Sequence, residues 1–191
     1  MTPRKQQILD IAAELFAERG FHGVSVHDIG AACGVSGPAL YRHFQGKDAI
    51  LSQMLIAISE SLVAEGRTRT AAAADGHAAL ESLIAGHIDF ALTHPALIVV
   101  QEREWVHLDV DSRATVRALQ LAYIDSWVET VRMLRPDLDQ RTARAAVQAT
   151  FGLLNSTPHS ARIGDPAMRA LLRSMARGAL LGDEGDRDAP A

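Results

Sequence analysis

The sequence places two histidines and an aspartate close together, at His87, Asp89 and His94. Imidazole and carboxylate groups are ordinary metal ligands, and residues seven apart, such as His87 and His94, lie on one face of a helix. A protein metal site needs three or four converging ligands, and this face offers only two. The spacing therefore favours isolated surface histidines, and we predict no metal site.

Two further histidines, His107 and His159, could serve as general bases in a small helical hydrolase or transferase. The sequence has no glycine-rich phosphate loop, nucleophile elbow or paired metal motif to support such an enzyme. The single cysteine, Cys33, excludes an intrachain disulfide and is expected to be buried. We predict no catalytic residue and no cofactor, and a small helical enzyme stays a remote alternative.

The elements that precede these histidines are short helices with clear boundaries. Apolar residues at helical spacing predict a first helix over about residues 4 to 19, stopped at Gly20. Ser25 is a predicted N-cap, with Asp28 three residues later as in a capping box. Gly34 ends the short second helix.

The turn that follows Gly34 is the most informative feature of this region. Gly34 can take the left-handed conformation that reverses the chain, and Ser36 caps a third helix. Pro38 falls in the first turn of that helix, where its missing N–H costs little, and the helix runs to His43 or Phe44. Three helices of these lengths joined by such a turn predict a helix-turn-helix.

The distribution of charge is compatible with this motif. The formal net charge of −4 argues at first against a nucleic-acid partner, since phosphate binding normally leaves a basic surface. Residues 1–50, however, hold five basic and five acidic side chains, so the negative charge lies in the rest of the chain. The balance permits DNA binding by the N-terminal segment without demonstrating it.

The remainder of the chain is predicted to be helical as well. An amphipathic helix over residues 47–64 ends near Gly66, and an alanine-rich stretch over residues 67–76 marks a boundary. Strand-like alternation is absent. Further helices are predicted over residues 77–93, 96–107, 112–134, 139–156 and 166–181. We predict an all-α fold of about nine helices, with a helix-turn-helix domain over residues 1–50 and a larger helical ligand-binding and dimerisation domain over residues 51–182.

Three further expectations concern the connections and the surroundings of the chain. Residues 51–66 would connect the two domains, and the charged residues 183–191 would form a disordered tail. No apolar stretch reaches the ~18 residues of a membrane span, and the first residues lack an apolar signal core. We therefore expect a cytoplasmic protein with no membrane partner.

The segment LFAERGFHGVSVHDIGAACGVSGPALYRHFQGKDAIL resembles the DNA-binding domain of the TetR/AcrR family of repressors, over about residues 5–51. The resemblance implies that Ser36–Phe44 is a recognition helix in the major groove, with Arg42 able to hydrogen-bond a guanine edge. DNA contacts are then expected from Ser25, Ser36, Gly37, Pro38, Ala39, Tyr41, Arg42, His43 and Lys47. Gly30 and Gly37 depart from the family pattern, so the operator sequence does not follow from the resemblance.

The resemblance also implies a homodimer on a pseudo-palindromic operator, with the last two helices as the dimer face. The candidate apolar residues are Ala143, Ala146, Val147, Thr150 and Phe151 on one helix, and Met168, Leu171, Leu172 and Met175 on the other. Paired across a two-fold axis, these helices would form a four-helix bundle. The alternative is that the same apolar stripes pack inside the monomer.

Aromatic and polar residues on the middle helices are the candidates for an effector pocket, although a single residue of this kind is more often a core residue than a pocket residue. They are Phe90, Arg103, Trp105, His107, Tyr123, Trp127, Asn155, His159 and Arg162. The segments REWVHL and FGLLNSTPHSAR are loosely similar to actinobacterial members that control fatty-acid, sterol or other acyl-CoA catabolism. This similarity implies a hydrophobic effector with an anionic head, such as an acyl-CoA, whose charge Arg103 or Arg162 would meet.

These features predict a homodimeric DNA-binding transcriptional regulator, a repressor that a small hydrophobic effector releases from its operator. A ligand-free repressor or an activator of the same fold is the alternative, with the interior filled by the aromatic residues themselves.

Overall fold

The computed structural model of the chain describes residues 2–182. Within that range the chain is helical and has no strand, which confirms the predicted all-α fold. Nine of the described α-helices have five or more residues, and α9 is a single four-residue turn. The α-helices are α1 Pro3–Arg19, α2 Val26–Cys33, α3 Gly37–Tyr41, α4 Lys47–Ala71, α5 Gly76–Thr93, α6 Pro95–Glu104, α7 Val110–Leu134, α8 Gln140–Leu154, α9 Thr157–Ser160 and α10 Asp165–Leu181. The tail predicted over residues 183–191 lies outside the described residues.

The chain divides into two compact units, each built from separate segments. Unit 1 comprises the residues up to Glu60 together with Ala96–Leu119. Unit 2 comprises Ser61–Pro95 and the described residues from Gln120 onward. The helix-turn-helix therefore shares its unit with the first half of α4, with α6 and with the start of α7.

This division does not coincide with the one expected from the sequence, which placed a boundary after residue 50. The reason lies in the hydrophobic core of unit 1. Val100, Leu108 and Val116, from α6 to α7, are buried in the same core as the side chains of α1 to α3. The three-helix segment therefore completes its core with residues far away in sequence.

Helices α1 and α2 begin and end close to where the sequence predicts, and α3 begins where it predicts. Ser25 accepts a hydrogen bond from the Asp28 backbone N–H at 3.1 Å, and the Asp28 carboxylate accepts one from the Ser25 backbone N–H at 2.8 Å. The capping box is thus complete with aspartate in the place of glutamate. Gly34 takes the left-handed conformation, with φ of 65°, as the tight turn requires.

Helix α4 runs through Gly66 to Ala71, so the predicted end at Gly66 is wrong. A Cβ atom on Gly66 would lie 3.0 Å from Cε2 of Tyr123 in α7. The glycine therefore allows close approach of the two helices within unit 2, rather than ending α4.

The composition of α4 also differs from expectation, because the helix has a window with mean hydropathy 1.3 that is long enough to cross a membrane. Ile50, Leu51 and Leu55 of this helix are fully buried in the core of unit 1. Packing in that core therefore accounts for the apolar composition of this part of α4.

The stripes predicted as a dimer face lie largely inside unit 2. Ala143, Val147 and Thr150 of α8 are buried, as are Met168 and Leu172 of α10. Spacing alone could not distinguish a dimer face from packing inside the monomer, because any buried helix face has the same period.

Candidate functional site

The recognition segment is shorter than predicted, since α3 ends at Tyr41 instead of His43 or Phe44. The chain nevertheless stays coiled, because the backbone N–H groups of His43 and Phe44 both donate to the Leu40 carbonyl, at 2.9 and 3.0 Å. Residues 42 and 43 therefore form a turn that extends the surface of α3.

Burial divides this segment into an anchoring side and an exposed side. Leu40 and Phe44 are 0% and 1% exposed, whereas Tyr41 is 58% exposed and its neighbours Arg42 and His43 are exposed as well. The Arg42 guanidinium has no hydrogen bond or ion pair within residues 2–182. Three consecutive polar side chains are thus presented to solvent on a firmly anchored turn.

The start of α3 presents a small and uncrowded surface. The Ser36 carbonyl accepts from the N–H groups of Ala39 and Leu40, at 2.9 and 3.0 Å. The Ser36 hydroxyl makes no capping bond, contrary to expectation, and is exposed. Gly37 has open space where a Cβ would lie, and Pro38 is exposed. A nucleic-acid backbone or base edge can approach this end closely.

A cavity of about 330 Å³ opens beside the turn. Besides residues 41–44, it is lined by Gln45, Ala49 and Gln53. The sequence did not single out these two glutamines, although an amide side chain can pair with an adenine edge. They extend the polar surface from α3 to the first turns of α4.

Two of the expected DNA contacts, Lys47 and Ser25, already make hydrogen bonds within the chain. The Lys47 ammonium donates to the carbonyls of Phe21 and Val24, at 2.8 and 3.1 Å, and lies 4.4 Å from the Phe21 ring centroid. One of its three N–H groups is left for a phosphate. The Ser25 hydroxyl donates to Asp28 at 2.5 Å, so it is committed to the capping box.

Unit 2 contains a buried polar centre around His87, which is 3% exposed. The His87 ring stacks on Phe151 with ring centroids 4.7 Å apart, and Tyr123 and Trp127 also lie against it. His87 Nε2 lies 3.0 Å from the Asn155 carbonyl oxygen, and Nδ1 lies 3.3 Å from the Tyr123 hydroxyl. His87 is therefore a core residue. The spacing of the histidines had suggested a surface residue, and that expectation is wrong.

The partners of His87 fix the proton on its neutral ring. Because the Asn155 oxygen can only accept, Nε2 carries the hydrogen and Nδ1 accepts from the Tyr123 hydroxyl. Burial lowers the pKa of His87 to about 4, although the bond to Asn155 opposes that shift. Burial likewise raises the pKa of Tyr123 to about 12. At neutral pH the centre is an uncharged chain of hydrogen bonds in an aromatic surrounding.

The Trp127 indole N–H is a further donor in this centre. It is buried without a hydrogen bond of normal geometry in the part of the chain that the structure describes. It lies close enough to the Tyr123 hydroxyl to lower the pKa of Tyr123 against the effect of burial. A buried donor without a well-formed hydrogen bond leaves part of its desolvation cost uncompensated.

The candidate pocket residues separate into three groups. Four of them, Phe90, Tyr123, Trp127 and Asn155, come together around His87. His159 and Arg162 are exposed in the segment after α8. The remaining three, Arg103, Trp105 and His107, belong to unit 1.

His107 has a structural place in unit 1 instead of a ligand contact. Its ring stacks on Phe21 with centroids 5.0 Å apart, and its Nε2 lies 3.4 Å from Glu104 Oε2. Trp105 packs against the core of unit 1, and Arg103 is exposed.

His87 and Phe151 are the residues of this centre that the predictions omitted from the pocket. A signal for His87 was present, because Leu80, Ile84, His87 and Ala91 follow one helical stripe, and all four are buried. The described residues contain no group of three or more histidine, cysteine, aspartate or glutamate side chains that could hold a metal ion.

Two family models match the chain along most of its length. Residues 8–54 match the model of the tetR family of bacterial regulatory proteins, and residues 73–159 match the model of a tetracyclin repressor-like C-terminal domain. The chain belongs to the TetR family. Members of this family are transcriptional regulators, so the enzyme alternative is rejected.

A curated relative agrees with the family assignment. The chain is 30% identical over 126 residues to the HTH-type transcriptional repressor KstR2 of Rhodococcus jostii. The matched residues cover 65% of this chain and 62% of that repressor. The match therefore spans less than two thirds of the relative's length.

Solved structures share the fold of the described residues. A TetR-family regulator from Bordetella parapertussis has a TM-score of 0.84 at 23% identity, with all of both chains covered. The regulator FadR from Bacillus subtilis in complex with stearoyl-CoA has a TM-score of 0.74 at 21% identity, covering 93% of this chain and 98% of that one.

Proposed function

We propose that this TetR-family regulator is a cytoplasmic homodimer that represses transcription from a pseudo-palindromic DNA operator and is released by a small hydrophobic effector. The observation that carries the proposal is the anchored turn of α3, which presents Tyr41, Arg42 and His43 to solvent. Free polar side chains on the second helix of a helix-turn-helix are placed to read the major groove. Repression is supported by the name of the Rhodococcus relative.

The side chains of unit 1 suit different parts of a DNA site. Arg42 can donate two hydrogen bonds to one guanine edge, and Pro38 and Ala39 can contact a thymine methyl. The hydroxyls of Ser36 and Tyr41, with the remaining N–H of Lys47, suit phosphate oxygens, which set the register of the protein without reading sequence. Ser25 can join them only by giving up its bond to Asp28.

The first test is a gel shift of the purified protein on DNA from upstream of its own gene, at a stated salt concentration and with non-specific competitor. Specific retardation supports the proposal and supplies the operator for later tests. If selection from random sequences also yields no preferred site, the DNA-binding proposal fails.

On the selected operator, Arg42→Ala is expected to weaken binding about ten- to a hundredfold, because a bidentate pair contributes about 1–3 kcal/mol. Tyr41→Phe should weaken operator binding less, because it removes only one phosphate contact. The charge-matched control is Arg67→Ala, at an exposed position of α4 in unit 2. Unchanged operator binding by both the Arg42 and Tyr41 variants would overturn the assignment of α3.

For the dimer we propose the outer face of α8 and α10. Leu171 and Met175 are each 46% exposed there, and nothing lies within 4 Å of a Cβ built on Gly152 or Gly178. A second copy can therefore approach the two helix backbones closely and cover the exposed apolar side chains. Such a pairing would complete a four-helix bundle.

We expect Leu171→Ala to raise the dimer dissociation constant roughly tenfold, because apolar area is lost from both copies. Sedimentation equilibrium measures the effect. Met133→Ala is the matched control, since Met133 is 67% exposed on α7 and lies outside the proposed face. Equal dimerisation of both variants would contradict the proposed face.

For the effector we propose an acyl-CoA or a related lipid metabolite that binds in unit 2. The aromatic centre around His87 supplies an apolar surrounding with a few polar groups, as small-molecule sites generally do. The stearoyl-CoA complex of the Bacillus subtilis regulator is a case of the same fold with such a ligand.

The second candidate is a ligand-free regulator, a repressor or an activator, and the packing of unit 2 favours it specifically. Both ring nitrogens of His87 are satisfied, and four aromatic rings pack against that ring. A thermal-shift screen with acyl-CoAs and hydrophobic cations separates the two candidates. A ligand at 100 times its dissociation constant should stabilise the protein by about 2.7 kcal/mol, whereas silence across both classes would favour the ligand-free regulator.

A further inference from the structure

Arg69, on α4, occupies an unusual position in unit 2. Its guanidinium lies directly over Gly86 in the middle of α5, where a Cβ atom would be 2.5 Å from Arg69 Nε and 2.9 Å from Cζ. Any side chain at residue 86 would displace it. Glycine inside a helix costs about 1 kcal/mol relative to alanine, and here it provides the place in which the guanidinium lies.

Among the residues that the structure describes, the guanidinium of Arg69 has no hydrogen-bond or ion-pair partner in this position. It makes no hydrogen bond and no ion pair at bonding distance among residues 2–182, although the side chain is half-buried. Glu65, one turn earlier on α4, could form an i, i+4 pair with it. The Glu65 carboxylate instead accepts a hydrogen bond from the Ser61 hydroxyl at 3.1 Å. The five donors of the guanidinium therefore have no acceptor from the protein among residues 2–182.

The surroundings of Arg69 connect it with the buried aromatic centre. Tyr123 lies against Gly66, three residues before Arg69 on the same face of α4. Burial raises the pKa of Tyr123 and the negative charge of Glu65 adds to that shift, whereas the positive charge of Arg69 is close enough to oppose it. The Tyr123 hydroxyl in turn faces His87 Nδ1. The cation of Arg69, which has no ion pair among residues 2–182, thus lies near one end of the hydrogen-bond chain.

We propose that Arg69 binds the oxyanion of the effector, a carboxylate or a phosphate ester, next to Tyr123. A guanidinium matches the geometry of either oxyanion with two parallel hydrogen bonds. The inference rests on the proposed effector-responsive function. It assigns to Arg69 the role expected of Arg103 or Arg162, of which Arg103 lies in unit 1 and Arg162 is exposed beyond α8.

The test compares three probes that share one alkyl chain: decanoate, decyl phosphate and 1-decanol, each titrated by calorimetry into the full-length protein. The wild type is expected to bind the better of the two anions about ten- to a hundredfold more tightly than the alcohol. The preference between decanoate and decyl phosphate identifies the oxyanion. Arg69→Gln should abolish the preference over the alcohol.

Two further variants separate the charge from its position. Gly86→Ala keeps the arginine but displaces its guanidinium, so it should reduce the preference for the anion as well. Arg67→Gln removes the same charge from an exposed position of α4 and should leave the preference unchanged. Circular dichroism confirms that each variant is folded.

The inference is overturned if Arg69→Gln keeps the wild-type preference, or if the wild type does not prefer either anion over 1-decanol. A gel shift with decanoyl-CoA distinguishes this failure from failure of the proposed function. If decanoyl-CoA releases DNA equally from the wild type and from Arg69→Gln, effector release stands and the assignment of Arg69 falls. If the wild type binds none of the four compounds, both fall.

Discussion

Replacing Trp127 by alanine is expected to lower the free energy of unfolding by about 3–5 kcal/mol. Its side chain is 0% exposed, and its ring contacts those of Phe151, His87 and Tyr123, with centroids 4.9 to 6.1 Å apart. Removal of the indole leaves a void that the packed rings can fill only in part. Urea denaturation followed by circular dichroism, at one fixed protein concentration, measures the loss.

A control on the same helix separates burial from helix propensity. Leu121→Ala alters a side chain of α7 that is 42% exposed, and it should cost much less than Trp127→Ala. Trp127→Phe should also cost less, because it keeps an aromatic ring and removes an N–H that completes no hydrogen bond among the described residues. Equal destabilisation by Trp127→Ala and Leu121→Ala would contradict the central role of this ring.

The stability of the protein is expected to fall by about 2–3 kcal/mol between pH 7 and pH 4.5 because of His87. Its pKa is about 4 in the folded chain, against an ordinary value of 6.5. Between these two values the unfolded chain binds a proton that the folded chain does not, so acid favours unfolding. Urea denaturation at several pH values should give a slope of at most about 1.4 kcal/mol per pH unit in this range.

Substitution of single histidines identifies the source of this slope. His87→Gln should flatten it, at the cost of stability at pH 7, whereas His77→Gln, at an exposed position of α5, should leave it unchanged. Hydrogen bonds from Ser25 and Thr142 lower the pKa values of Asp28 and Asp139 below 3.8. Protonation of those carboxyl groups therefore reduces the stability mainly below pH 4. A slope that survives in His87→Gln would show that other groups control the acid sensitivity.

Local signals were sufficient for most helix boundaries in unit 1. The capping pair Ser25 and Asp28 and the left-handed Gly34 are short-range features, and the structure has them where the sequence predicts. Gly66 was misread because a glycine inside a helix can mean either a stop or a close approach. Only the position of Tyr123, far along the chain, decides between these meanings.

The candidate sites were predictable to different degrees. The exposed turn of α3 followed from a motif of fixed spacing, so Tyr41, Arg42 and His43 could be named in advance. The centre of unit 2 depends on contacts between distant helices, such as that of His87 with Asn155. Arg69 lay in an alanine-rich stretch that indicated only a connector, and nothing local signals that it packs over Gly86.

The discontinuous composition of unit 1 limits how this regulator can be engineered. A fragment that ends at Glu60 would lack Val100, Leu108 and Val116, and it would expose the apolar surface that these residues cover. The helix-turn-helix segment alone is therefore not expected to keep its core when it is excised and fused to another ligand-binding domain. A chimera that replaces unit 2 must keep residues 96–119 together with the residues up to Glu60. It must therefore join the foreign unit at three points of the chain instead of one.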